Sequence, residues 1–138
     1  GLVWALARTD LKLVLIEPLL RRANFLTSVV LELGLGEQVT VTRVRSEDLV
    51  KQGDWAGVDV VTARAVAPLV KLLGWTVPLL RMGGSLVALK GSSVATELAE
   101  AAPVATSLGI KDLRIAVCGQ GVVEPATTVV LATRGAAQ

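Results

Sequence analysis

The stretch Lys12–Leu26, "KLVLIEPLLRRANFL", changes character in its middle. Lys12–Ile16 is an unbroken Val/Leu/Ile-rich run, the composition of a parallel strand covered on both faces. Pro18 cannot continue a β-ladder, yet it suits the first turn of a helix, where its missing N–H costs nothing. From Leu19 onward apolar residues recur at Ala23, Leu26, Val30 and Leu33, a 3.6-residue rhythm. Glu17 therefore ends a strand directly above a helix start. A buried strand feeding an amphipathic helix is the repeating unit of an α/β sheet.

The rest of the chain repeats that unit. Further β-like runs lie at Val39–Val44, Val58–Ala63, Ser85–Lys90, Leu113–Cys118 and Thr127–Thr133, with helical patterns at Leu19–Leu33, Pro68–Leu80 and Val94–Leu108. The alternation predicts one doubly wound sheet in a single domain over residues 1–138. Right-handed crossovers would put the strand C-terminal ends, and any ligand site, along one edge. The last connection differs. Between Cys118 and Thr127 lie only the eight residues "GQGVVEPA", too few for a parallel crossover. The final two strands are thus expected to form an antiparallel hairpin, which disfavours a plain nicotinamide-binding domain. The opening "GLVWALARTD" is already helical in pattern with no strand before it, as in a chain whose first strand is missing.

Composition removes several chemistries. Histidine is absent, so histidine acid–base catalysis and any Ser-His-Asp arrangement are excluded. The single cysteine, Cys118, cannot form an intrachain disulfide, and no metal site is expected. Apolar residues make up 52% and aromatics 3%, which predicts a Val/Leu/Ala core. Net charge is only +2, so a nucleic-acid partner would depend on where the cations cluster. No signal-peptide pattern and no bilayer-length apolar run is present, and the expected location is the cytoplasm.

The residues at strand exits define the candidate site. Glu17 follows the first strand, where nucleotide-binding α/β folds place a carboxylate that accepts ribose hydroxyls. It can equally cap the following helix. Ser46, Glu47 and Asp48 follow the second strand; Ser46 reads as a helix N-cap with acids in the first turn, or the turn reads as an adenine-binding one. Arg64 follows "VDVVTA", which reads as a central strand, and a cation there needs a cleft. Lys90, Gly91 and Ser92 follow the fourth strand. Arg21 and Arg22 occupy a first helical turn, an unfavourable place for cations unless an anion approaches. Cys118, Trp4, Trp55 and Trp75 read as packing residues, Trp55 covering a sheet edge.

Taken in order, "LVLIEPLLRRANFL", "VRSEDL", "DVVTARAVAPL", "LLRMGGSLVALKG" and "TTVVLAT" resemble the GidB/RsmG family over nearly the whole chain. The resemblance implies a class I S-adenosylmethionine-dependent methyltransferase (Rossmann-like) sheet with a C-terminal antiparallel hairpin. It implies transfer of a methyl group from S-adenosyl-L-methionine to N7 of a guanine in 16S ribosomal RNA, naked or in the small ribosomal subunit, by a monomer. By the same resemblance Glu17 is the ribose-binding acid, Ser46 and Glu47 the adenine-contacting pair, and Arg64 a catalytic and cofactor-binding residue near the methyl donor. Arg21, Arg45 and Lys90 would face RNA phosphates. The family's glycine-rich "GxGxGLPG" loop, N-terminal helices and first strand would precede Gly1, so the chain is read as truncated. The residue set suits the chemistry, because guanine N7 offers a lone pair with no proton to remove. Two alternatives remain at this point, a nicotinamide-dependent oxidoreductase and a catalytically inactive RNA-binding fragment.

Overall fold

The computed structural model describes residues 1–64, 67–91 and 94–135. The elements run α1 (Leu2–Ala7), β1 (Leu13–Ile16), α2 (Leu20–Glu32), β2 (Val39–Thr42), α3 (Ser46–Lys51), β3 (Val58–Arg64), α4 (Leu69–Thr76), β4 (Leu80–Lys90), α5 (Val94–Ser107), β5 (Ile110–Cys118) and β6 (Thr127–Arg134). All six strands and the three long helices expected from the sequence are present. The chain folds as two compact units, Gly1–Gly53 and Asp54–Gln138.

In the first unit β1 and β2 pair in parallel, in a register that sets Leu13 against Val39 and Ile16 against Thr42. Ala5 of α1, Val30 of α2 and Val39 of β2 form its small core, with Leu13, Leu15 and Val41 packed against them. Gln38 fastens α1 to the start of β2: its amide nitrogen donates to the carbonyls of Ala5 (3.0 Å) and Arg8 (2.6 Å). Carbonyls at a helix C-terminus lack partners within the helix, and the Gln38 amide supplies one to each of these. Just beyond, the exposed Arg8 guanidinium hydrogen-bonds Asp10 and holds its carboxyl below the usual carboxylate range.

In the second unit four strands run in the order β3-β4-β6-β5. β3 and β4 are parallel, whereas β6 lies antiparallel to both of its neighbours, β4 and β5. The terminal hairpin deduced from the eight-residue connection is therefore correct, and Cys118 faces Thr127 across it. The core is aliphatic, built on Leu69, Leu73, Leu80, Leu86 and Val130, all fully buried. Trp55, expected to cover a sheet edge, donates its indole N–H to the carbonyl of Leu79, just ahead of β4, at 2.9 Å. Trp4 and Trp75, expected in the core, are instead 45% and 38% exposed.

Two expectations about the sheet change. The strands form two sheets instead of one, because β1 pairs only with β2 and β3 only with β4 among the described residues. Strand β4 also begins earlier than its apolar pattern shows. "RMGG" belongs to it as an irregularity, since Val58 pairs with Leu80 but Val60 with Ser85. Gly84 makes that kink possible, for an added Cβ would stand 2.9 Å from the carbonyl oxygens of both Arg81 and Val58. Backbone oxygens cannot swing away as a side chain can. Gly84→Ala is therefore expected to cost about 1–3 kcal/mol, the range for forced overpacking, read as a lower urea midpoint at unchanged slope.

Candidate functional site

Each unit carries its own set of strand-exit residues. In the first, the parallel register of Ile16 with Thr42 brings the exits of β1 and β2 side by side, and the Glu17 amide continues the ladder by donating to Thr42 O at 3.1 Å. The Glu17 side chain is half-buried. Its Oε1 accepts the Leu19 backbone N–H at 3.2 Å, and Leu19 is the N-cap of α2. The bond reaches the N-cap residue itself, and no side chain caps the first turn of α2. A carboxylate has about four lone-pair directions, so this one bond leaves acceptors for other donors.

Beyond β2, Arg45 is the N-cap of α3 and Ser46 its first helical residue. This corrects the expectation that Ser46 is the cap; no side chain caps this helix. The physical reason is the backbone: Arg45 is still extended, at φ −82° and ψ 146°. The Ser46 and Glu47 amides therefore lie in the first turn, where helix geometry supplies no internal acceptor. Glu47 and Asp48 add negative charge beside them. Arg21 and Arg45 are exposed, like Arg22 and Arg43, and all four lack a hydrogen-bond or ion-pair partner among the described residues.

The fit to an adenosine group can be judged from this donor set. Glu17 offers a carboxylate acceptor suited to vicinal hydroxyls. Amides of a first helical turn next to a carboxylate match the acceptor and donor on the edge of an adenine. The residues present fit that group.

In the second unit Arg64 ends β3, opposite Leu89 of β4. Among the described residues β3 pairs only with β4, and Arg64 is exposed without a partner. Lys90, expected to face phosphates, is turned inward. Its side chain is only 5% exposed, and its Nζ donates to Glu97 Oε1 at 2.7 Å and to Ala67 O at 3.2 Å. That geometry removes Lys90 from any phosphate-facing set. Ser92 lies outside the described residues. Sequence reasoning missed Glu97, whose Oε1 also accepts the Leu69 N–H at 3.0 Å. One signal for it existed: Pro68, the N-cap of α4, has no side-chain acceptor, so the cap must come from elsewhere.

Among the described residues no group of His, Cys, Asp and Glu could hold a metal ion, and no helix is long and apolar enough to cross a membrane.

A parallel strand pair with a carboxylate at a strand exit leading into a helix, in one unit, and a mixed sheet ending in an antiparallel hairpin, in the other, are features of the class I S-adenosylmethionine-dependent methyltransferase fold. Solved structures agree. A SAM-dependent O-methyltransferase from Thermotoga maritima superposes with a TM-score of 0.64 at 16% identity, over 92% of this chain and 51% of that one. An rRNA methylase from Streptococcus thermophilus gives 0.61 at 11% identity, over 91% and 74%. The chain belongs to the GidB family, rRNA small subunit methyltransferase G, whose model matches residues 1–126. The ribosomal RNA small subunit methyltransferase G of Salinispora arenicola is 53% identical over 94% of this chain and 55% of its own length. That of Mycolicibacterium smegmatis is 48% identical over 100% and 58%. The chain thus spans little more than half the length of these curated relatives. Family membership sets aside the nicotinamide-dependent oxidoreductase.

Proposed function

We propose that this chain takes part in transferring a methyl group from S-adenosyl-L-methionine to N7 of a guanine in 16S ribosomal RNA, as a monomer in the cytoplasm. The observation that carries the reading is the half-buried Glu17 carboxylate at the β1 exit, in register with the β2 exit that leads to Ser46 and Glu47. Glu17 would accept the ribose hydroxyls, and the Ser46–Glu47 turn would meet the adenine edge. The sulfonium of the bound cofactor supplies an activated methyl group. Guanine N7 attacks through a lone pair and releases no proton, so the protein needs no general base. What it must supply is alignment. Arg64 would orient groups around the transferred methyl or a phosphate of the target strand, and the exposed Arg21 and Arg45 would hold RNA phosphates in place.

Calorimetric titration with S-adenosylhomocysteine tests the reading. Glu17→Ala removes charge-assisted hydrogen bonds, each worth about 1.5–3 kcal/mol, and is expected to weaken binding by at least about tenfold. Affinity equal to the parent would overturn the ribose-binding role. Absence of N7-methylguanine after incubation of the full-length protein with cofactor and 16S rRNA would overturn the reaction itself.

A further inference from the structure

We propose that Lys90 and Glu97 are positioning residues for Arg64: they hold Ala67 and Leu69, where the chain enters α4, while the β-ladder holds Arg64 itself. The proposal rests on the role given to Arg64 above. The near end is set by the parallel register that places Arg64 opposite Leu89. The next residue of β4, Lys90, reaches across and donates to the carbonyl of Ala67 at 3.2 Å. Two residues further on, the Leu69 N–H that opens α4 is accepted by Glu97 Oε1 at 3.0 Å. The same oxygen receives the Lys90 ammonium at 2.7 Å. Adjacent residues of one strand thus hold Arg64 on one side and Ala67 on the other, and a glutamate of α5 locks the second anchor.

Stabilisation alone is a poor account of this pair. The two side chains are 5% and 17% exposed, and a buried ion pair commonly adds little over apolar residues of the same volume, because desolvation offsets the attraction. What it supplies instead is fixed geometry. Glu97 also does for α4 what Pro68 cannot, accepting an N–H of the first turn from a different helix. Arg64 itself is exposed and has no hydrogen bond or ion pair of its own among the described residues. Its placement is therefore set through the backbone that carries it. In a reaction governed by alignment, small displacements of such a group are costly.

Two readouts separate positioning from plain stability. In amide hydrogen exchange, Glu97→Ala should speed exchange of the Leu69 amide by about tenfold or more, while the Val130 amide in β6 keeps its protection. In the full-length protein, Glu97→Ala should lower kcat for methyl transfer about tenfold with the KM for RNA unchanged, and Lys90→Arg should recover most of the loss that Lys90→Met causes. In an Arg64→Ala background, Glu97→Ala should cost nothing further. If Glu97→Ala does not fold, Glu97→Gln keeps the acceptor for Leu69 while breaking the ion pair, and a threefold loss, again absent without Arg64, is expected. Unchanged exchange at Leu69, or losses that multiply with Arg64→Ala, would overturn the proposal. An Arg64→Ala protein that methylates at the parental rate would instead overturn the role of Arg64, and the positioning role with it, whatever Leu69 exchange reports about the clamp.

Discussion

Arg64→Ala in the full-length protein is expected to lower methyl transfer about a hundredfold, the scale of loss when a reacting pair falls out of alignment. Arg64 is the last residue of β3, exposed, and without an ion pair among the described residues. Its loss removes no contact that the fold uses, so the unfolding midpoint should hold while activity falls. Lysine should restore only part of the activity, because its point charge cannot reproduce the planar fork of a guanidinium. Titration with S-adenosylhomocysteine then divides the two possible duties. Affinity retained alongside lost methylation places the guanidinium on the RNA side; affinity lost places it beside the cofactor. Methylation at the parental level would remove Arg64 from the chemistry altogether.

Leu86→Ala should give the largest loss of stability. Leu86 is fully buried in the second unit, in β4, between Val61 of β3 and Ala132 of β6. Strands on both sides hold its surroundings open, so the site cannot collapse around a smaller side chain. Truncation should cost about 2–5 kcal/mol, by lost transfer energy and by the cavity left behind. Urea unfolding would show it as a lowered midpoint at unchanged slope. A loss below about 1 kcal/mol would mean that the β4–β6 layer is far more plastic than its packing indicates.

The two predictions differ in how far the sequence foresees them. The strand at Leu13–Ile16, the helix behind Pro18 and the closing hairpin are legible because each is a local pattern: an apolar run, a 3.6-residue rhythm, a connection too short for a crossover. Glu17 at a strand exit is legible for the same reason. The exposure of Arg64 is not, because the residues Val58–Arg64 carry no record of which side chains pack beside them. Lys90 failed in a different way. A lysine ending a strand is ordinarily solvated, and only the fold brings Glu97, on the following helix, within 2.7 Å of its amine. The "RMGG" irregularity is not legible either, since glycines within a strand look the same in sequence as glycines between strands.

The place of β6 bears on how the second unit is made. Strand β6 follows both β4 and β5 in sequence yet sits between them, and those two do not pair with each other among the described residues. A nascent polypeptide that has emerged as far as Cys118 holds two edges that nothing yet joins. Closure must wait for Thr127–Arg134, so β4 and β5 stay unjoined until that strand exists, and a stop codon ahead of Thr127 would leave an open, sticky intermediate for chaperones and proteases to find.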